Sequence, residues 1–314
     1  MKYDHNIYNS LTPRYALQLA APHTWAASVC PALFGDFYCW QQGIALPVWK
    51  GFLLLIACVL LQSSVNTLND YFDFVKGTDS KEDNVEVHDA TLVYGNINPK
   101  SALRLGVAYL FAGAVIGIWC CIGSGWMPVV FGLIGALVIV LYSGGPLPLS
   151  YLPLGECISG FVMGGMIPLG IGLCADGQIH LDILFYSLSL ILGIGLIMMS
   201  NNGCDIEKDK MAGRKTLPVC LGRNHTLILY RLTLSIWFLL VALLPFFLVG
   251  RLGWLSFGFL LIFAGKIIIR QMSLTLNPKE RIQQMKGINL CNIRINGVYI
   301  MSLVYGLILE AIHG

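Results

Sequence analysis

Long apolar blocks fill this chain, and short polar stretches separate them. Nine blocks reach or approach the roughly 20 residues that span a bilayer. They are residues 23–43, 47–73, 100–124, 126–144, 153–174, 181–205, 224–249, 252–272 and 291–312. Each is predicted to be a helix, because a lone span in hydrocarbon must satisfy its own backbone hydrogen bonds. Three polar stretches stand out: Gly77 to Lys100, Asp205 to Arg223, and Leu276 to Lys286. The third is rich in Gln and Lys and predicts a short amphipathic helix on the membrane surface. Only 12% of residues are charged. The expectation is an all-α integral membrane protein of about nine transmembrane helices, with residues 1–314 forming a single polytopic domain. Residues 3–9 are polar and Pro13 precedes the first block, which is not the pattern of a signal peptide.

The placement of the cations matters more than the net charge of +3. Lys2 and Arg14 precede the first block. Lys76, Lys81, Lys100 and Arg104 flank the second connection, and Lys208, Lys210, Arg214, Lys215 and Arg223 flank the sixth. Lys266, Arg270, Lys279, Arg281, Lys286 and Arg294 flank the eighth. The odd-numbered connections carry little beyond Lys50 and Arg251. By the positive-inside rule the N-terminus and the long polar stretches are cytoplasmic, and nine spans put the C-terminus outside. The expected location is the plasma (cell inner) membrane. The ten cysteines show no ligand spacing and read as buried inert thiols. Nothing in the pattern calls for a nucleic acid or an obligate protein partner; the lipid bilayer is the evident one.

Two acidic clusters leave the ends of apolar blocks and read as versions of one another. The first is Asn66-Thr67-Leu68-Asn69-Asp70-Tyr71-Phe72-Asp73, followed by Lys76, Gly77 and Asp79. The second is Asn201-Asn202-Gly203-Cys204-Asp205-Ile206-Glu207-Lys208-Asp209, followed by Gly213, Arg214 and Lys215. On a helix Asn66, Asp70 and Asp73 share one face, as do Asn201, Asp205 and Asp209. A carboxylate near the bilayer core costs about 2.5–3.5 kcal/mol on insertion scales. One Asp at a span end is commonly a solvated helix-end residue, but two matched clusters point to use. Such a duplication predicts a central site where the two halves meet. Carboxylate and amide oxygens, without Cys or His, suit a hard cation, and Mg2+ favours a few carboxylates shared with substrate phosphates. Lys76, Lys81, Arg214 and Lys215 are placed to neutralise the remaining phosphate charge. Glu82, Asp83, Glu86 and Asp89 read as loop charges, with Asp79 the exception, and Glu207 points away from the cluster face.

These segments resemble the UbiA superfamily of intramembrane aromatic prenyltransferases. NGCDIEKDKMAGRKTLPVCLG (202–222) resembles its second aspartate motif and NTLNDYFDFVKGTDS (66–80) its first. APHTWAASVCPALFG (21–35) resembles the opening helix, and LYSGGPLPLSYLPLGE (141–156) the connection after the fourth helix. Gly77-Thr78-Asp79, Asp205-Ile206-Glu207 and Gly145-Pro146 are most similar to the branch that prenylates 1,4-dihydroxy-2-naphthoate in menaquinone synthesis. The stretch Gly160 to Gly172 lacks the paired Phe-Phe-Gly of many members of that branch.

The resemblance implies helices around a central cavity and Mg2+-dependent transfer of a polyprenyl group. The donor would be a polyprenyl diphosphate and the acceptor an aromatic ring: dihydroxynaphthoate, or else hydroxybenzoate, homogentisate, haem or a lipid. It assigns Asn66, Asp70, Asp73, Asp205 and Asp209 to the metal and diphosphate, with Asp70, Asp205 and Asn66 central to catalysis. Spacing favours Asn201 as a further ligand, and motif alignment favours Asn202. Lys76, Arg214 and Lys215 are candidates for the phosphates, and Tyr142 and Glu156 for the acceptor pocket. The stretch Gly77 to Lys100 is a candidate lid with Gly77 and Gly95 as hinges. Two other classes fit less well. A CDP-alcohol phosphotransferase needs a Gly where Phe74 stands, and a cation-coupled transporter needs its carboxylates nearer the midplane.

Overall fold

The computed structural model describes residues 8–77 and 91–313. Asp79, Lys81, Glu82, Asp83, Glu86, His88 and Asp89, and most of the candidate lid, lie outside the described residues. Each of the nine apolar blocks is helical: α1 Ala26–Gln41, α2 Val48–Lys76, α3 Pro99–Cys120, α4 Met127–Ser143, α5 Gly155–Asp176, α6 Leu188–Cys204, α7 Leu217–Val249, α8 Gly253–Ser273 and α9 Arg281–His313. Five helical stretches are long and apolar enough to cross a membrane: α2, α3, α5, Leu217–Ser273 and Pro278–Ile312. The fourth of these holds both α7 and α8, joined by the turn Gly250–Leu252. α4 and α6 are shorter apolar helices. Large apolar side chains such as Phe111, Ile228, Phe247 and Ile262 lie exposed on the outer faces, which suits hydrocarbon and not water.

Local chemistry explains the boundaries. α2 ends where Gly77 takes φ +69°, a left-handed conformation that costs glycine little. α7 begins as a single turn at Leu217. Gly222, at φ +74° and ψ 162°, interrupts it, so the long rod starts at Arg223, close to the predicted start at 224. α5 carries a π-helical stretch, Gly160–Met166. A Cβ on Gly164 would stand 2.5 Å from the backbone nitrogen of Ile191, and one on Gly160 2.6 Å from the Ile191 carbonyl oxygen. Small residues here let α5 and α6 touch backbone to backbone. The main core, with Phe34, Tyr38, Ile194, Leu234, Trp237, Ile295 and Tyr299, joins α1, α6, α7 and α9.

Two expectations are corrected. The third polar stretch is not a surface helix. Leu276 is fully buried, a short turn spans Pro278–Glu280, and α9 starts at Arg281. Buried partners for Arg281 and Gln284 draw this stretch inward. The second acidic cluster does not ride on one continuous helix either. α6 stops at Cys204, Asp205 has φ −102° and ψ 17°, and Ile206–Met211 forms a separate short helix.

Candidate active site

A cavity of about 890 Å3 lies among α2, α4, α5, α6 and α9. Most of its wall is apolar, including Leu54, Leu61, Phe131, Met166, Ile194 and Ile293. Both acidic clusters line it as well. Among the described residues the charged groups of the lining are Asp70, Asp73, Asp205 and Asp209 against Lys208, Arg214, Arg281 and Lys286. Four carboxylates thus face four cations.

The last turns of α2 present the first cluster. Asn66 donates its amide to the Ala20 carbonyl and to Thr24 Oγ1, each at 3.0 Å. Both bonds use the amide nitrogen, which fixes the side chain and leaves the amide oxygen as the atom a cation could take. Asp70 is 5% exposed, and Oδ2 accepts from the Thr91 backbone N–H at 2.9 Å. The residue beyond the undescribed segment therefore returns to the site. Asn69 Nδ2 donates to Asp73 Oδ2 at 3.1 Å, and Ser143 Oγ donates to Asn69 Oδ1 at 2.7 Å.

Arg214 joins the two clusters. One guanidinium nitrogen, Nη2, donates to Asp73 Oδ1, and Nη1 stands 3.6 Å from Asp209 Oδ1. Its plane lies over the Tyr151 ring, 4.7 Å from the centroid, where the ring face favours a cation. Thr216 Oγ1 donates to Asp209 Oδ2 at 3.3 Å. Burial pushes the Asp209 carboxyl up to about 6, against the pull of Arg214. Burial also works against the Arg214 charge, but Asp73 and Asp209 outweigh it and hold the guanidinium above its ordinary value. Arg281 holds the other side of the second cluster. Its Nε donates to both Asp205 oxygens at 3.0 Å, and Nη2 donates to Asn201 Oδ1 at 2.5 Å.

Asn66, Asp70, Asp73, Tyr142, Asn202, Asp205, Asp209 and Arg214 all line the cavity, as does Asn201. Lys76, Lys215 and Glu156 are not part of the lining. Lys76 is exposed at the end of α2. It donates to the Ser143 carbonyl at 3.0 Å and sits 4.8 Å from the Tyr151 ring centroid. Lys215 is exposed, and its backbone N–H bonds the Tyr151 carbonyl at 2.8 Å. Glu156, 2% exposed, lies behind Asn202, whose Nδ2 donates to Oε1 at 2.7 Å. Asn201 and Asn202 therefore differ in partner, one tied to Arg281 and the other to Glu156. Glu207 is 65% exposed and paired with Arg223 at 2.6 Å, off the cluster face as expected. That hydrogen bond holds its carboxyl below the usual range.

Sequence reasoning missed Arg281 and Asn69. Asn69 lay inside the first motif, one residue from Asp70. Arg281 lay in the cation group beside the eighth connection, where flanking lysines and arginines look alike. The donor set is hard: carboxylate and amide oxygens. Among the described residues no three of His, Cys, Asp and Glu gather into a cage. Separate carboxylates around a shared space fit Mg2+ that also coordinates phosphate.

Such an arrangement defines a protein of apolar helices around one largely apolar cavity, with carboxylates and cations gathered in its wall. The model of the UbiA prenyltransferase family matches residues 28–293, and the chain belongs to that family. It is 34% identical over 211 residues to 1,4-dihydroxy-2-naphthoate octaprenyltransferase of Bacillus subtilis, a match spanning 66% of this chain and 66%, just under two thirds, of that protein. It is 29% identical over 238 residues to human UbiA prenyltransferase domain-containing protein 1, covering 73% of this chain and 67% of the relative. Among solved structures, a UbiA homologue from Archaeoglobus fulgidus bound to GPP and Mg2+ superposes with a TM-score of 0.65. That match is 19% identical and covers 93% of this chain and 99% of the other; at that identity the likeness shows the fold.

Proposed function

We propose that this protein transfers a polyprenyl group from a polyprenyl diphosphate to 1,4-dihydroxy-2-naphthoate, with Mg2+ and with loss of carbon dioxide. One observation carries the reading: Arg214 joins Asp73 of the first acidic motif to Asp209 of the second at the wall of one apolar cavity. The Bacillus relative supports the choice of acceptor, and the Archaeoglobus neighbour, bound to GPP and Mg2+, supports the choice of metal and donor class. In this reading the protein crosses the plasma membrane nine times, and the cation distribution supports placing the acidic motifs on the cytoplasmic side.

Asp70, Asp73, Asp205 and Asp209, with the amide oxygens of Asn66 and of Asn201 or Asn202, would hold the metal. Bound there, Mg2+ would supply positive charge to stabilise a leaving diphosphate. Arg214 balances phosphate charge within the same space. Leu54, Leu61, Met166 and Ile194 keep water from the allylic carbon as its bond to oxygen breaks. Phe131 and Tyr142 offer aromatic faces to the developing carbocation. Tyr142 borders the acceptor, and Glu156 supports it through Asn202. The ring carbon that bears the carboxylate attacks the allylic carbon, and carbon dioxide then departs from it. The bonding pair released restores the aromatic ring, so the protein supplies no nucleophile.

The test uses membranes containing the protein, a radiolabelled polyprenyl diphosphate, Mg2+, and dihydroxynaphthoate or hydroxybenzoate in parallel. A decarboxylated prenylnaphthoquinol that disappears with EDTA is the expected product. Product from hydroxybenzoate alone moves the acceptor, and a rate that ignores EDTA removes the metal from the mechanism.

A further inference from the structure

Arg281 is the most deeply held cation of the site, with 7% of its surface exposed, and neither acidic motif contains it. It is the first residue of α9, the helix that gives Met285, Asn289 and Ile293 to the cavity wall. The segment before it is firmly seated. Asn277 caps the Pro278–Glu280 turn through a 3.0 Å bond to the Lys279 N–H, and the fully buried Leu276 adopts φ +56°. From this anchor the guanidinium reaches Asp205 with Nε and Asn201 with Nη2. A planar fork that fits two carboxylate oxygens fits two phosphate oxygens equally well.

We propose that Arg281 is a diphosphate-binding residue that passes from Asp205 to the donor's phosphates when a divalent cation takes the Asp205 oxygens. The inference rests on the prenyl diphosphate reading above. Nε spans both oxygens of Asp205, so a metal and the guanidinium compete for the same lone pairs. A diphosphate relieves the conflict, because its oxygens accept from the guanidinium while the carboxylate turns to the metal. Arg281 therefore opposes metal binding when the metal comes alone and favours it when diphosphate comes too. A merely structural arginine has no such change of sign.

The experiment measures Mn2+ binding by electron paramagnetic resonance on the full chain in detergent, with and without inorganic pyrophosphate. Arg281→Gln is expected to bind Mn2+ alone several-fold more tightly than wild type. With Mn2+ saturating, it is expected to bind pyrophosphate about tenfold more weakly, the scale of one lost charge-assisted hydrogen bond. Arg281→Lys keeps the charge without the fork and should fall between the two. It carries the test if the Gln variant fails to fold. Unchanged pyrophosphate affinity in both variants overturns the inference alone. So does parallel weakening of Mn2+ and pyrophosphate, which marks simple damage to the site. Wild-type protein that binds no manganese pyrophosphate overturns the prenyl diphosphate reading itself.

Discussion

Replacing Arg214 with Gln removes the cation shared by the two acidic motifs. Its side chain is 15% exposed, and those of Asp73 and Asp209 are 11% and 3% exposed. At an effective dielectric of about 20, a unit pair at the separation of Arg214 and Asp209 attracts by roughly 4–5 kcal/mol before desolvation. Desolvation takes back much of that while the pair is intact. Breaking the pair leaves the carboxylates buried without the charge they share, at a cost of about 3–5 kcal/mol. The cost depends on pH in a fixed direction. The folded-state carboxyl of Asp209 is raised to about 6, with burial as the first cause and Arg214 opposing it. A carboxyl raised on folding costs stability as pH rises through the window from its ordinary value of about 4 up to about 6. Loss of Arg214 raises it further and widens the window. Thermal unfolding in detergent, followed with a thiol-reactive dye, suits this chain because most of its ten cysteines are buried. Arg214→Gln should lower the Tm, more at pH 8 than at pH 5.5, and adding Asp73→Asn should restore part of the loss. Equal deficits at the two pH values, or no recovery in the double variant, refute the reasoning.

Asp70→Asn and Asp205→Asn should each abolish turnover and leave the protein folded; near-wild-type rates at saturating Mg2+ would remove these residues from the metal site. Turnover should climb as pH rises through about 6, where the Asp209 carboxyl ionises, because a carboxyl offered to a metal must be deprotonated; a flat profile from pH 5 to 7.5 contradicts a metal-binding role for Asp209. Gly164→Ala drives a methyl to 2.5 Å from the Ile191 backbone nitrogen, and overpacking of this kind costs about 1–3 kcal/mol or more. The check is a lower Tm and yield, and an unchanged Tm would mean that α5 and α6 do not pack so closely. Glu207→Gln breaks an exposed pair with Arg223 worth under about 1 kcal/mol. Its Mg2+ response should match wild type, and a shifted metal affinity would bring Glu207 into the site.

Nine apolar blocks, matched clusters at Asn66–Asp73 and Asn201–Asp209, and cations grouped beside alternate connections were all legible along the chain. Hydropathy and spacing are local properties, so they indicate which segments are helical and which residues share a helix face. They also carried the family resemblance, since both motifs are short and contiguous. Asn66, Asp70 and Asp73 indeed present one face of α2 to the cavity. Asp205 and Asp209 reach it too, although the helix assumed for them breaks at Asp205.

The tertiary structure decided which charges enter the site. Lys76, Arg214 and Lys215 were alike as basic residues beside an acidic motif, yet only Arg214 of the three lines the cavity. Its guanidinium spans two carboxylates that are 136 positions apart in the chain, Asp73 and Asp209. Arg281 was indistinguishable from its flanking cations until the packing of α9 against α6 brought it to Asp205, across 76 residues. Pairings at such separations depend on how helices pack, through contacts such as Gly160 and Gly164 on Ile191. The sequence by itself determined the helices and the oxygen-rich chemistry of their ends, because those follow from burial and period within one segment. Which arginine meets which carboxylate was left to the packing, because an ion pair depends on distance in space and the chain order does not encode that distance.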